Sequence, residues 1–442
     1  MQIVKPPKIQ MDDVPLNRFH IKIAGLTFGA HFIDGYVLGQ IGFALTQMTP
    51  QMGLSSFWQG MLGSSALIGL FIGSLFLGHI SDFIGRQKIF CFSFIIITIG
   101  TFSQFFIETP LELFLLRIFI GIGLGGDYSV GHTMLAEISP RKHRGILLGS
   151  FSVIWTFGYV AANFLGHYLT YIDPNAWRWL LMSASLPAFI ILLLRIGTPE
   201  SPRWLMKKGR YEEANTIIKK YFGTNVILND EYSERKAISF FALFSPQYRQ
   251  RTLFNSLFFI CLVIPYFAIY TFLPSILNIM GLNQSFSTDL LLNFILIIGA
   301  LLGIVLTQTF SRRGFLIYSF IFLAICLGLL SFIPEQQTLV MLMLFAAFTL
   351  VLSAVSNLVG VFPAESFPTK MRALGVGFAT SMSRLGSAIG TGLLPIAILS
   401  FGMQSTMLIL TGILASGAII SILWAPETKD LSLVEASDIS VP

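Results

Sequence analysis

Charged side chains inside apolar runs are the residues of this sequence best placed to do chemistry. Asp34 sits about thirteen residues into the run that begins near residue 21, and His31 precedes it by one helical turn. Arg117 and Asp127 share a later run, ten residues apart, which is roughly 15 Å along a helix. Arg384 lies on a polar stripe of Gly377, Thr380, Ser381, Ser387 and Thr391, at spacings of three and four that place it on one helix face. An ionised group at mid-bilayer costs about 2.5–3.5 kcal/mol on insertion scales, so such residues are read as functional. A buried carboxyl must be paired or protonated, imidazole exchanges protons near working pH, and a guanidinium fork matches carboxylate or phosphate. The expected chemistry is proton movement and anion recognition. Asp34, Asp127 and His31 are the candidate proton carriers. Arg384 is the candidate anchor for an anionic substrate. A pair between Arg384 and Asp34 or Asp127, or a snorkelling Arg384, is the alternative.

Nothing in the sequence assembles an enzyme. There is no Walker-type phosphate loop, no metal-ligand cluster, and no nucleophile with its base, so no cofactor and no ATP drive are expected. The three cysteines, Cys91, Cys261 and Cys326, fall in apolar runs and read as small core residues.

The elements that must hold these residues are membrane spans. Of 442 residues, 54% are hydrophobic and 11% charged, against about 25% charged in soluble domains. Twelve runs approach the roughly 20 apolar residues a span needs: about 21–46, 57–80, 89–106, 112–136, 146–170, 177–196, 252–278, 288–310, 316–333, 337–362, 373–400 and 404–425. This is an all-α polytopic membrane protein, divided into an N-terminal six-helix half (1–196), a central loop (197–250) of short surface helices, and a C-terminal six-helix half (251–442). The polar first twenty residues do not read as a cleavable signal peptide. Gly121, Gly125 and Gly69-x-x-x-Gly73 suit closely packed helices.

Basic residues orient the spans. With the N-terminus in the cytoplasm, Arg117, Arg178 and Arg384 lie within or beyond the spans, and the other 25 of 28 Lys and Arg fall on the cytoplasmic side. The opposite loops, near Pro50, Glu108, Asp173, Gln284 and Glu335, hold none. Both termini are then cytoplasmic. The net charge of +6 is a topology signal and calls for no nucleic acid.

The halves echo each other. Ala136-Glu137-x-x-Pro140-x-Lys142-x-Arg144 recurs 228 residues on as Ala364-Glu365-x-x-Pro368-x-Lys370-x-Arg372. Pro199-Glu200-Ser201 recurs as Pro426-Glu427-Thr428. A repeat spanning half the chain is an architectural signal.

These motifs resemble those of the major facilitator superfamily, in which two six-span halves enclose a site near the midplane. The loop Gly78-x-x-x-Asp82-x-x-Gly85-Arg86 resembles its cytoplasmic signature. Pro199-Glu200-Ser201-Pro202-Arg203-Trp204, Pro426-Glu427-Thr428-Lys429 and Trp177-Arg178-Trp179 resemble sugar-porter signatures. Gly125-Gly126-Asp127-Tyr128 is similar to phosphate:proton symporters, and Asp34-Gly35-Tyr36 to half of a motif in aromatic acid:proton symporters, with Val37 where a second aspartate would stand. Phe83 and Gln87 replace residues that are usually basic. The seventh span offers Asn255, Tyr266, Tyr270 and Thr271 in place of the paired glutamines of sugar porters. As a whole the chain is similar to bacterial inner-membrane metabolite transporters.

The resemblance implies a secondary transporter, and Arg384 favours proton symport of a small organic anion, such as a sugar acid or aromatic carboxylate. A neutral sugar or polyol is the alternative, and a nutrient-sensing receptor the remote one. It brings the first and fourth spans together, so an Asp34–Arg117 pair is expected, coupled to the cycle or static. A relay from Asp34 to Asp127 is geometrically reasonable, with His31 joining it. Around Arg384, Trp155, Tyr159, Asn163, Tyr266, Tyr270, Asn293 and Asn357 would complete a pocket or serve packing alone. Asp82, Arg86, Glu137, Arg144, Glu365 and Arg372 would form cytoplasmic charge networks, one matched latch per half. The partners are the substrate, protons and the lipid bilayer of a bacterial inner membrane, and the protein is expected to be a monomer.

Overall fold

The computed structural model describes residues 9–173, 176–228, 240–279, 281, 286–333, 337–368 and 371–429. Lys370, Gln284 and Glu335 lie outside the described residues. The first half consists of α1 (Arg18–Met52), α2 (Ser56–Ile84), α3 (Arg86–Ser103), α4 (Pro110–Ile138), α5 (Arg141–Gly149), α6 (Phe151–Ile172), α7 (Trp177–Ser183) and α8 (Ser185–Arg195). Local signals set the ends. The Asn17 side chain accepts from the Phe19 and His20 amides, and the His20 ring closes a capping box at the start of α1. Thr109 and Glu112 form the same device before α4. Helices α5 and α6 together make one crossing, as do α7 and α8.

The polar stretch between the halves contains α9 (Pro202–Lys207) and α10 (Tyr211–Tyr221). Two short strands, β1 (Ile9–Gln10) and β2 (Val226–Ile227), pair in parallel and tie the N-terminal segment to the end of α10. The second half holds α11 (Arg249–Thr271), α12 (Leu273–Ile279), α13 (Phe286–Thr309), α14 (Arg312–Leu330), α15 (Thr338–Val355), α16 (Leu358–Ser366) and α17 (Arg372–Trp424). Helix α17 has 53 residues, about 80 Å at 1.5 Å each, far more than one bilayer core of about 30 Å. Gly402, with φ of 80° and ψ of 166°, breaks it into two crossings.

Among the described residues, ten helices are long and apolar enough to cross a membrane by length and composition. Helix α17 crosses twice. Helix α1 makes the twelfth crossing; His31, Asp34, Gln40 and Gln47 make it more polar than the rest, and all four are buried. Large apolar side chains such as Phe76, Tyr168, Leu339 and Leu399 face outward, the pattern of a bundle solvated by lipid. Inside, α2 lies on α4 with Gly69 and Gly121 in backbone contact, α1 lies on α6, and α11 lies on α17.

One end of the bundle is rich in arginine: Arg86, Arg144 and Arg312 gather there in ion pairs with residues of their own half, and Arg203 of the central stretch pairs with Asp12. The described contacts between the halves lie elsewhere. They run from the opposite end, where Gly60 meets Gly392 and Gly42 meets Thr271, to a Ser152–Asn357 hydrogen bond of 2.8 Å near the middle. The halves therefore meet at the end remote from the basic one.

Candidate functional site

Helices α1, α4, α6 and α17 bring the central charges together. Asp34 is 4% exposed. Its Oδ2 accepts from Trp155 Nε1 at 3.0 Å, and its Oδ1 has no hydrogen-bond partner among the described residues. Gly35 makes this bond possible: a Cβ there would collide with the Trp155 carbonyl, so only glycine lets α1 lie this close to α6. His31 Nδ1 donates to the Thr27 carbonyl at 3.0 Å, leaving Nε2 without a partner. The His31 ring stacks on Phe151 at 3.9 Å and stands 4.7 Å from His132. His132 Nδ1 donates to the Tyr128 carbonyl at 2.8 Å. The Arg384 guanidinium, arriving from the second half, lies 4.9 Å from the Tyr128 ring centre. Among the described residues no carboxylate lies within ion-pair distance of it, and its Nε is unpartnered.

The expected Asp34–Arg117 pair is not formed. Arg117 is fully buried, and it donates instead to Ser65 Oγ at 3.3 Å and Gln104 Oε1 at 3.4 Å. It faces α2 and the turn after α3, while the α1–α6 contact draws Asp34 to the indole. Val37, fully buried on α1, offers it no charge.

Asp127 differs from Asp34 in being held in an ion pair. Arg195, the last residue of α8 and 0% exposed, forms an ion pair with it. The same guanidinium donates to the Phe90 carbonyl at 2.6 Å and lies over the Phe90 and Phe94 rings at 3.3 and 4.0 Å. Sequence reasoning counted Arg195 among the solvated cytoplasmic cations. A long arginine at a helix end can turn back into the bundle when a carboxylate and aromatic faces await it. The signal available was Asp127 itself, a carboxylate within a span that demanded a cation. His132, Tyr128 and Phe151 were missed as site residues for a different reason: each sits in an ordinary-looking helical stretch.

The aromatic and amide candidates divide into two sets. Trp155 belongs to the centre and faces Tyr266 and Phe267 of α11 at 6.1 and 5.9 Å. The others lie along the seam between halves. Tyr159 donates to the Tyr270 carbonyl at 2.7 Å. Asn163 donates to Asn293 Oδ1 at 3.1 Å, and Asn293 in turn donates to the Asp289 carbonyl at 2.8 Å. One turn further along each helix, His167 Nδ1 stands 3.7 Å from Asp289 Oδ2. Asn357 donates to Ala300 and Ala354 carbonyls and accepts from Ser152. These amides are spent in joining helices.

At the basic end each half carries a network with the same plan. Arg86 pairs with Glu137 at 2.8 Å and with Asp82 at 3.6 Å. Glu137 accepts from Ser201 Oγ at 2.6 Å, and Glu200 accepts from the Arg86 and Gln87 amides. In the second half Arg312 pairs with Glu365 at 3.7 Å, Thr428 donates to Glu365, and Glu427 accepts from the Arg312 and Arg313 amides. The two networks are built from matching residues. Glu137 and Glu365 take their cations from Arg86 and Arg312, the first residues of α3 and α14. Arg144 pairs with Asp12 and donates to the Ser139 carbonyl. Arg372 opens α17. Asp12 also pairs with Arg203 at 2.9 Å. Burial opposes ionisation of Asp12, but Arg203 and Arg144 outweigh it and hold its carboxyl below the usual value. Glu427 behaves likewise: Ser311 and three backbone amides overcome burial.

Twelve crossings in two halves, a charged centre shared between them and duplicated networks at one end define a polytopic transporter, not an enzyme. The chain belongs to the sugar (and other) transporter family of the major facilitator superfamily, whose family model matches residues 24–439. It is 58% identical over 431 residues to a protein of Escherichia coli (strain K12) named inner membrane metabolite transport protein YgcS, covering 98% of this chain and 97% of that one. It is 24% identical over 438 residues to the niacin transporter NiaP of Acinetobacter baylyi, covering 96% and 98%. Its fold matches that of the E. coli xylose transporter XylE in a partially occluded inward-open conformation, with a TM-score of 0.79 and 19% identity, covering 94% of this chain and all of that one.

Proposed function

We propose that this transporter is a symporter that moves a small organic anion together with a proton by alternating access. One observation carries the reading. Arg384 reaches the centre with no carboxylate in ion-pair contact among the described residues, while Asp34 sits beside the same cluster with one oxygen unpartnered. One guanidinium balances one carboxylate. A substrate carboxylate and Asp34 together make two, so the site is neutral only when one proton accompanies the anion. The proton is placed on Asp34 and not on Asp127, whose charge Arg195 already balances. His31, one turn away, is suited to pass it on. Arg117 keeps a supporting role in the first half.

The halves 1–196 and 251–442 rock against each other about the central site, with 197–250 joining them. In the present state they touch at the end remote from the basic one, so the site communicates with the basic end. The basic end faces the cytoplasm of a bacterial inner membrane, with both termini inside, as the distribution of lysine and arginine requires. The networks at Glu137 and Glu365 set the shape of that end in each half. The protein works as a monomer.

The test is transport in vesicles containing the purified protein. Internal pH is followed as organic acids and neutral sugars are added outside. Substrate-dependent acidification by an acid, lost in Asp34→Asn, is the expected result. Uptake of a neutral sugar with no proton movement would sink the reading.

A further inference from the structure

The central cluster is specific in its surface chemistry. His31 and Phe151 are buried and stacked face to face behind it. In front, Tyr128, His132 and Trp155 are half-buried, with ring centres of Tyr128 and His132 4.3 Å apart. The Arg384 guanidinium lies over the Tyr128 ring, 4.9 Å from its centre. Three polar atoms in this small region, Asp34 Oδ1, His31 Nε2 and Arg384 Nε, are buried without a hydrogen-bond partner. Such atoms are costly to leave unpaired; twenty occur among the described residues, and these three belong to groups gathered at the centre.

We propose that the half-buried rings of Tyr128, His132 and Trp155, with the Arg384 guanidinium over Tyr128, line a site for a planar aromatic or heteroaromatic carboxylate, the ring packing against aromatic side chains and the carboxylate meeting the guanidinium. This rests on the anion-symport reading and narrows it against a sugar acid. A polyhydroxylated acid must exchange each hydroxyl's water for a protein partner, because a buried polar group left unpaired is costly. The three amides of the seam are committed. Asn163 and Asn293 bond to each other across the seam, and Asn357 is held by Ser152, Ala300 and Ala354. A planar ring asks for none of them. It needs flat, polarisable faces, which Tyr128, His132 and Trp155 provide.

The experiment uses the full-length protein in lipid nanodiscs, with thermal stabilisation and titration calorimetry as readouts. The probes are benzoate, nicotinate, gluconate and glucose. Benzoate or nicotinate is expected to bind, and gluconate and glucose are not. His132→Ala should weaken binding of the aromatic acid about three- to tenfold, and His132→Phe, which keeps a planar face, should restore it. Gluconate binding with proton uptake, and no response to the aromatic acids, overturns this inference and leaves anion symport standing. Binding of glucose alone overturns both. Equal loss in His132→Phe and His132→Ala, with unchanged ligand-free melting, overturns the role of the aromatic face.

Discussion

At the scale of single residues, what separates the charged groups of this bundle is whether each has a partner. Arg195 and Asp127 satisfy one another in a fully buried pair. Removing one member of such a pair strands the other, at a typical cost of about 3–5 kcal/mol, whereas removing both is often nearly neutral. Arg195→Met should therefore lower the melting temperature in detergent sharply, and the double variant with Asp127→Asn should recover most of the loss. Asp34 and Arg384 behave differently because each has an open atom. Arg384→Ala should leave the melting temperature of the ligand-free protein nearly unchanged and abolish acid-induced stabilisation. Retained acid binding in that variant would remove Arg384 from the site.

At the scale of elements, the geometry of the centre depends on how closely α1 approaches α6. The contact is backbone against backbone at Gly35, and it aims Trp155 Nε1 at Asp34 Oδ2. Gly35→Val cannot be accommodated without moving one helix. Overpacking of this kind costs about 1–3 kcal/mol or more, and it should abolish proton-coupled uptake even where membrane insertion is normal. Gly149→Ala, where a Cβ meets nothing within 4 Å, is the control and should transport normally. The seam of α6 and α13 is the second element-scale feature. The Asn163–Asn293 bond and the His167–Asp289 contact join the halves at successive turns. Cysteines at 163 and 293, linked by a short bifunctional thiol reagent, should hold the outer side shut. Transport should stop, and binding from the basic side should persist.

At the scale of the whole molecule, the N-terminal segment is part of the first half's scaffold. Asp12 bridges Arg144 at the start of α5 and Arg203 in α9, and β1 pairs with β2. The folded Asp12 carboxyl is held below its ordinary value of 3.8. Its contribution to stability is thus complete above that value and lost as pH falls through the lower, folded one. Asp12→Asn should lower stability near neutrality and flatten the acid limb of the melting curve below about pH 4. An identical acid limb in both proteins would show that the bridge does not contribute. At the same scale, the halves meet at the end remote from the basic one, and the described ion pairs of Arg86, Arg144 and Arg312 each join residues of one half.

Much of this was legible in the chain alone. Apolar runs of span length must lie in lipid, because only there is such a surface stable, and the repeat at 228 residues required two related halves. The repeated Glu137 and Glu365 were legible as members of duplicated networks, but the part of Glu200 and Glu427 in them was not. Partnership was not legible. Whether Asp127 meets Arg195, or Arg117 meets Asp34, depends on which faces of helices many residues apart are turned toward each other, and periodicity leaves that rotation open. Asn163, Asn293 and Asn357 read equally well as pocket or seam until their carbonyl partners were in view. His132 and Phe151 became site residues only when α1, α4, α6 and α17 converged, because a site at the meeting of two halves has no counterpart in any single stretch of sequence.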